Sequence, residues 1–119
     1  MTTPFVKLLI QDVSRSVAFY EALGFERKQT EPPFVHLSWA GAMDVYLVTP
    51  PPQLKVEGRR GLGVLVGLRV TDAGGVDAVL KRAQAHGALV EGPTLQPWHT
   101  REIIVTDPDG YRLNFIEPV

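Results

Sequence analysis

The chain has 119 residues, enough for one ordinary domain with its own core. Hydrophobic residues make up 45% and charged residues 21%, a globular composition and not a disordered one. Twelve Lys/Arg balance thirteen Asp/Glu for a formal charge of -1, with no basic block of the kind that nucleic-acid binding needs and no acidic tail. Cysteine is absent, which excludes disulfides, thiolate zinc sites and cysteine nucleophiles. The longest apolar runs, such as residues 62–68, are far short of the roughly 18 residues of a membrane span, and the N-terminal sequence does not read as a signal peptide. A cytoplasmic domain without nucleic-acid or membrane partners is expected.

Residues 5–10 are short and rich in β-formers, which predicts a strand. Asp12 can cap a helix starting at Val13, whose face carries Val17 and Tyr20, and Gly24 can end it. Residues 25–29 read as a strand that Pro32-Pro33 interrupts. Residues 34–39 and 44–48 follow as strands joined by the Ala40-Gly41 turn. Pro50-Pro51-Pro52 stops the last of them, because proline offers no ladder donor, and residues 50–61 read as an exposed linker.

The same order then returns. Residues 65–70 predict a strand, and Thr71 or Asp72 can cap a helix with Val76, Val79, Leu80 and Ala83 on one face. His86-Gly87 ends that helix, and residues 88–91 read as a strand. A loop holding Pro93 and Pro97 leads to a strand over 101–106. Asp107-Pro108-Asp109-Gly110 is a tight turn before a final strand over 111–116. Leu8-Leu9-Ile10-Gln11-Asp12 matches Leu68-Arg69-Val70-Thr71-Asp72 at an offset of 60. The chain therefore reads as an internal repeat of one βαβββ unit. Its fold class is α+β, with an N-terminal module over 1–49, a linker over 50–61 and a C-terminal module over 62–119. The helices are expected outside, with mixed sheets curling around a cavity.

Strand alternation divides the two faces of each sheet. Val6, Leu8, Ile10, Val45 and Leu47, with Val66, Leu68, Val70, Leu113 and Phe115, are uniformly apolar and suit packing against helices. The opposite set mixes Phe5, Lys7, Leu9, Asp44, Tyr46 and Val48 with Leu65, Gly67, Arg69, Arg112, Asn114 and Ile116. Such a lining suits a ligand with a flat apolar part and polar ends, unless these charges pair among themselves. His36 alternates with Phe34 and Ser38 on one strand face, and His99 follows Trp98 in the loop before the last hairpin. The three histidines lie apart, with none of the usual metal-binding spacings, so each has either a hydrogen-bonded surface role or a ligand contact. No nucleophile elbow or phosphate-cradling loop is present. The Asp107/Asp109 pair reads as local turn chemistry, and Gly74-Gly75 as a weak helix start with no evident reason.

Three stretches resemble the vicinal oxygen chelate superfamily, which includes glyoxalase I, extradiol dioxygenases, fosfomycin-modifying enzymes and bleomycin resistance proteins. Residues 12–25, with Phe19-Tyr20 and Leu23-Gly24-Phe25, are similar to the family's first helix, and residues 107–117 to its last hairpin. Gln96-Pro97-Trp98 with Arg101-Glu102 is similar to the segment before that hairpin in bleomycin resistance proteins. The resemblance implies the paired-module fold. In metal-dependent members it also implies His, Glu or Gln ligands on the first and last strand of each module. Here those positions fall on Phe5, Tyr46, Leu65 and Asn114, none a His or carboxylate, so no metal site and no cofactor is expected.

The resemblance thus points to a protein that binds or sequesters a small organic, antibiotic-like ligand. Phe34, His36, Trp39, Asp44, Tyr46, Arg69, Trp98, His99, Arg112 and Asn114 are the candidate contacts, with the aromatic ones offering stacking faces. Relatives of that type bind cationic glycopeptides in acidic grooves, which a charge of -1 does not favour. The alternatives are an enzyme of the lyase, dioxygenase or thiol transferase type using a base such as His36 or Glu102, and a module whose cavity its own side chains fill. Because two chains commonly share sites in this family, a homodimer is expected.

Overall fold

A computed structural model describes residues 4–28, 34–54 and 60–119. Two mixed sheets of four strands each carry one helix per module. The N-terminal module runs β1 (Phe5–Leu9), α1 (Val13–Leu23), β2 (Glu26–Arg27), β3 (Phe34–Trp39) and β4 (Met43–Val48). The C-terminal module runs β5 (Val66–Arg69), α2 (Gly75–Ala85), β6 (Leu89–Leu95), β7 (Thr100–Thr106) and β8 (Arg112–Pro118). The strand orders are β1-β4-β3-β2 and β5-β8-β7-β6, so the first strand of each module pairs in parallel with its last. Lys7 faces Tyr46 across β1 and β4, and Gly67 faces Asn114 at the matching place across β5 and β8. The predicted repeat is therefore one of topology and register, with α+β architecture.

The helix caps explain where the helices sit. Asp12 accepts the Arg15 amide at 3.1 Å, and Gly24 closes α1 in the left-handed region at φ 115°. Neither Thr71 nor Asp72 caps α2, whose N-cap is Gly74, with no side-chain capping bond. The Glu117 carboxylate of β8 takes the Val76 amide at 3.1 Å instead. A Cβ on Gly75, at φ 60°, would run into that carboxylate, which supplies the reason for glycine there. Strand ends also move: β5 is shorter than residues 65–70, β8 runs on to Pro118, and β6 extends past the expected Glu91 to Leu95. Pro93 fits inside β6 because that strand is the sheet edge and its register with β7 shifts between Glu91 and Thr94. The Pro32-Pro33 break, residue 29 of the expected second strand and linker residues 55–59 lie outside the described residues.

Both helices and the helix-facing side of both sheets share one core. It unites Leu8, Val45 and Leu47 of one sheet with Leu68, Leu113 and Phe115 of the other. Trp39 and Phe115 bring their rings to 5.2 Å across the two modules, and the Trp39 indole donates to the Arg69 carbonyl at 2.9 Å. Each sheet turns its other face away from this shared core.

A polar junction locks the modules in that arrangement. The turn expected to serve only itself reaches across the molecule. Asp107 does hold the Asp109 and Tyr111 amides at 2.9 and 2.8 Å, and it also accepts the buried Tyr20 hydroxyl at 2.6 Å. Asp109 accepts from the Gln11 amide, the Ser16 hydroxyl and Arg60, the last at 2.8 Å. Arg60, placed by sequence in an exposed linker, is 8% exposed and also donates to the Leu9 carbonyl. Burial, with Asp107 beside it, holds the Tyr20 phenol well above its ordinary pKa. Burial likewise raises Asp107, so its ionisation opposes folding as pH rises above the usual carboxylate value.

Candidate functional site

The alternation of β1, β3 and β4 sends Phe5, Lys7, Phe34, His36, Asp44 and Tyr46 to the open face of the N-terminal sheet. Tyr46 is the hub. Its ring stacks on His36 at 4.6 Å and 12°, and it meets Phe5 and Phe34 edge-on at 5.5 and 6.0 Å. His36 Nε2 and Asp44 Oδ1 are 2.7 Å apart, a pair formed across adjacent strands. The Lys7 ammonium lies 5.9 Å from the Phe5 ring centre. Phe5, Lys7, Phe34, Tyr46 and Val48 line a cavity of about 340 Å³, apolar apart from the lysine and the tyrosine hydroxyl. Phe5 is 56% exposed, so this aromatic patch is displayed to solvent and not folded into the core.

The open face of the C-terminal sheet has different chemistry. Glu102 is its centre, accepting from Trp98 Nε1 at 3.1 Å, Thr100 Oγ1 at 2.5 Å and Asn114 Nδ2 at 3.2 Å. The Thr100 hydroxyl first, then Trp98 and Asn114, hold this carboxylate below its ordinary pKa against the desolvation that would raise it. Arg112 Nη2 reaches both Glu91 carboxylate oxygens at 2.9 Å. Trp98 is 62% exposed on the β6–β7 turn, where its neighbour His99 adopts φ 65°.

The ten candidate contacts therefore divide. Phe34, His36, Asp44 and Tyr46 come together on one open face, and Trp98, Arg112 and Asn114 stand on the other. Arg69 projects from the edge strand of the second sheet, and His99 stays on the exposed turn. Trp39 is a correction. It is 6% exposed and belongs to the core, because it falls out of phase with Phe34 and His36 on β3 and points to the helix side. Glu91 and Thr100 were missed as partners of Arg112 and Glu102. The first depends on where β6 lies beside β7 and β8, and the second on a side-chain bond between alternate residues of one strand.

The four positions where family members place metal ligands can be tested by their donors. Phe5 and Leu65 offer none, Tyr46 offers only a neutral phenol on a ring packed against Phe5 and His36, and Asn114 offers only an amide, whose nitrogen donates to Glu102. This set does not fit a divalent ion. Among the described residues no group of three or more His, Asp or Glu side chains is placed to hold a metal.

Comparison with known proteins places the fold in a family. The family model of the glyoxalase/bleomycin resistance protein/dioxygenase superfamily matches residues 3–115. The chain belongs to that superfamily. It is 32% identical over 115 residues to an uncharacterised protein of Mycolicibacterium smegmatis, an alignment spanning 96% of this chain and 91% of that one. A solved glyoxalase/bleomycin resistance protein from Streptomyces sp. CB03234 is similar at 26% identity and TM-score 0.76, covering 98% of this chain and all of that one. An antibiotic binding protein from the same organism is similar at 26% identity and TM-score 0.77, covering all of this chain and 98% of that one. At 22% identity and TM-score 0.73, a bleomycin-binding protein complexed with bleomycin shares the fold, with full coverage of both chains. No helix among the described residues is long and apolar enough to cross a membrane.

Proposed function

We propose that this superfamily member binds a small organic molecule with a planar apolar part and sequesters it without transforming it. The observation that carries this reading is the aromatic cavity of about 340 Å³ on the N-terminal open face, concave and apolar with a few polar groups at its edge. The similarity to an antibiotic binding protein at 26% identity supports it. Phe34, His36, Asp44 and Tyr46 form one wall of the site, and Arg69, Trp98, His99, Arg112 and Asn114 form the other. Since these walls belong to two separate sheets of the chain, a second copy completes the groove, and the working form is a homodimer. Binding proceeds without a metal, because the donor set at Phe5, Tyr46, Leu65 and Asn114 is wrong for one. The lack of cysteine suits a cytoplasmic site of action, and the formal charge of -1 gives no support for a nucleic-acid partner.

The test is a fluorescence titration with a panel of planar antibiotics, alongside sedimentation analysis of the free protein. Quenching of Trp98 that disappears in Trp98→Phe, on a particle of two chains, is the expected result. A monomer, or no response to any planar compound, overturns the reading. Elemental analysis after incubation with manganese, iron, nickel and zinc is expected to find far less than one ion per chain.

A second reading is favoured by one observation, the His36–Asp44 pair at 2.7 Å. A carboxylate that orients an imidazole beside a cavity is the arrangement of a general base. On this reading the protein is an enzyme of the lyase, dioxygenase or thiol transferase type. Turnover of a thiol adduct, catechol or epoxide that His36→Ala abolishes would establish it.

A further inference from the structure

We propose that the ligand is an aromatic zwitterion, a planar ring bearing a cationic nitrogen and an acid group a few bonds apart, and that Glu102 and Arg69 receive its two ends. This names the ligand class for the binding reading above and rests on it. Strand register supplies the geometry. Ile116 on β8 is opposite Arg69 on β5 and opposite Glu102 on β7. The three residues form one row across the C-terminal sheet, and two strand spacings set the outer backbones about 10 Å apart. All three take the open face. Their chain neighbours Leu68, Val70, Ile103 and Phe115 are buried on the helix side, where Glu117 also turns to meet Val76.

The row holds a carboxylate and a guanidinium kept apart by an isoleucine. Trp98, Thr100 and Asn114 all donate to Glu102, and these neutral groups orient its charge without cancelling it. Among the described residues the Arg69 side chain enters no ion pair, and only its backbone carbonyl is engaged, by Trp39. Arg112 and Glu91 on the same face behave differently, closing directly on each other at 2.9 Å through both carboxylate oxygens. One pair of opposite charges is therefore shut and the other open. Since the open pair has one charge of each sign, it favours a ligand carrying both over a ligand carrying either alone.

The surroundings suit such a ligand. Gly67, next but one to Arg69 on β5, has no side chain, and a Cβ built there meets nothing within 4 Å. That leaves a notch beside Asn114, its register partner. Trp98 is tied to Glu102 through its indole nitrogen while most of its ring stays exposed. An aromatic part stacked on that ring carries its substituent toward the row. The ligand nitrogen then donates to Glu102 and its acid oxygen accepts from Arg69, a charge-assisted hydrogen bond at each end.

The experiment uses three probes of one ring system, each titrated by calorimetry into the full chain. Naphthylalanine carries both charges, naphthylpropionate the acid alone and naphthylethylamine the amine alone. Naphthylalanine is expected to bind about tenfold tighter than either of the others, the worth of one hydrogen bond to a charged group. Arg69→Met should erase its advantage over the amine, because the acid end then has no partner. Glu102→Gln, which keeps an oxygen for Trp98 and Thr100, should erase its advantage over the acid. Equal binding of naphthylalanine and either single-charge probe overturns the assignment, and so does an advantage that survives its matching variant; in both cases the small-molecule reading stands. If none of the three probes binds, that reading falls and takes this one with it.

Discussion

The N-terminal open face is a block of rings around Tyr46, whereas the C-terminal open face is a polar lattice around Glu102. On the helix-facing side the two sheets are alike, with Leu8, Val45 and Leu47 answered by Leu68, Leu113 and Phe115. The two modules are thus near copies where they pack on helices and strangers where they meet solvent. Close packing permits few solutions on the buried side, because a lost methylene or a misplaced polar atom costs stability there. On the open side only the occupant sets the requirement, so the two faces are free to diverge into a wall for rings and a wall for polar groups.

Variants can break or sharpen this contrast. The largest expected effect is on the shared side. Phe115→Ala removes a fully buried ring that touches Trp39 of the other module, and should cost about 4 kcal/mol. Denaturant unfolding followed by circular dichroism and, in a Trp98→Phe background, by Trp39 emission should then show a single coincident transition at lower denaturant; two separated transitions would mean that the modules do not share a core. Next comes the junction. Asp109→Ala removes the carboxylate that the buried Arg60 guanidinium meets at 2.8 Å, for an expected loss of about 3 kcal/mol. A cost below about 1 kcal/mol would show that the pair behaves like an exposed one.

Tyr20→Phe should cost about 2 kcal/mol by depriving buried Asp107 of a donor. It should also change the alkaline limb of the stability profile. Because burial raises the phenol above 10.0, its contribution is intact below that pH and is lost as pH climbs through the folded value. The phenylalanine variant should lack that loss. The smallest effect belongs to the open face. The hydrogen bonds that lower Glu102 give stability present above 4.5 and lost as pH falls through its folded value. Glu102→Gln should therefore lessen the acid dependence slightly while leaving neutral-pH stability nearly unchanged, as differential scanning calorimetry between pH 3 and 7 would show.

The order of elements, the repeat and the two-faced alternation follow from the sequence alone, because a strand's period of two and a helix's period of 3.6 are local and survive any packing. The family positions Phe5, Tyr46, Leu65 and Asn114 could likewise be read as unsuited to a metal from their side-chain chemistry. Asp12 and Gly24 mark the ends of α1 for the same local reason. Other features depend on partners far along the chain. Arg60 becomes a buried clamp through Asp109 and Leu9, α2 starts at Gly75 because Glu117 waits there, and β6 passes Pro93 because it lies at an edge. Trp39 and Trp98 show the division most plainly. The sequence marks both as ligand-facing rings, but one lies on the helix side of β3 and the other on an exposed turn. The sequence determined which residues could face outward. Only the tertiary structure decided which outward faces share a side, because that depends on how two modules pack, and no local period encodes it.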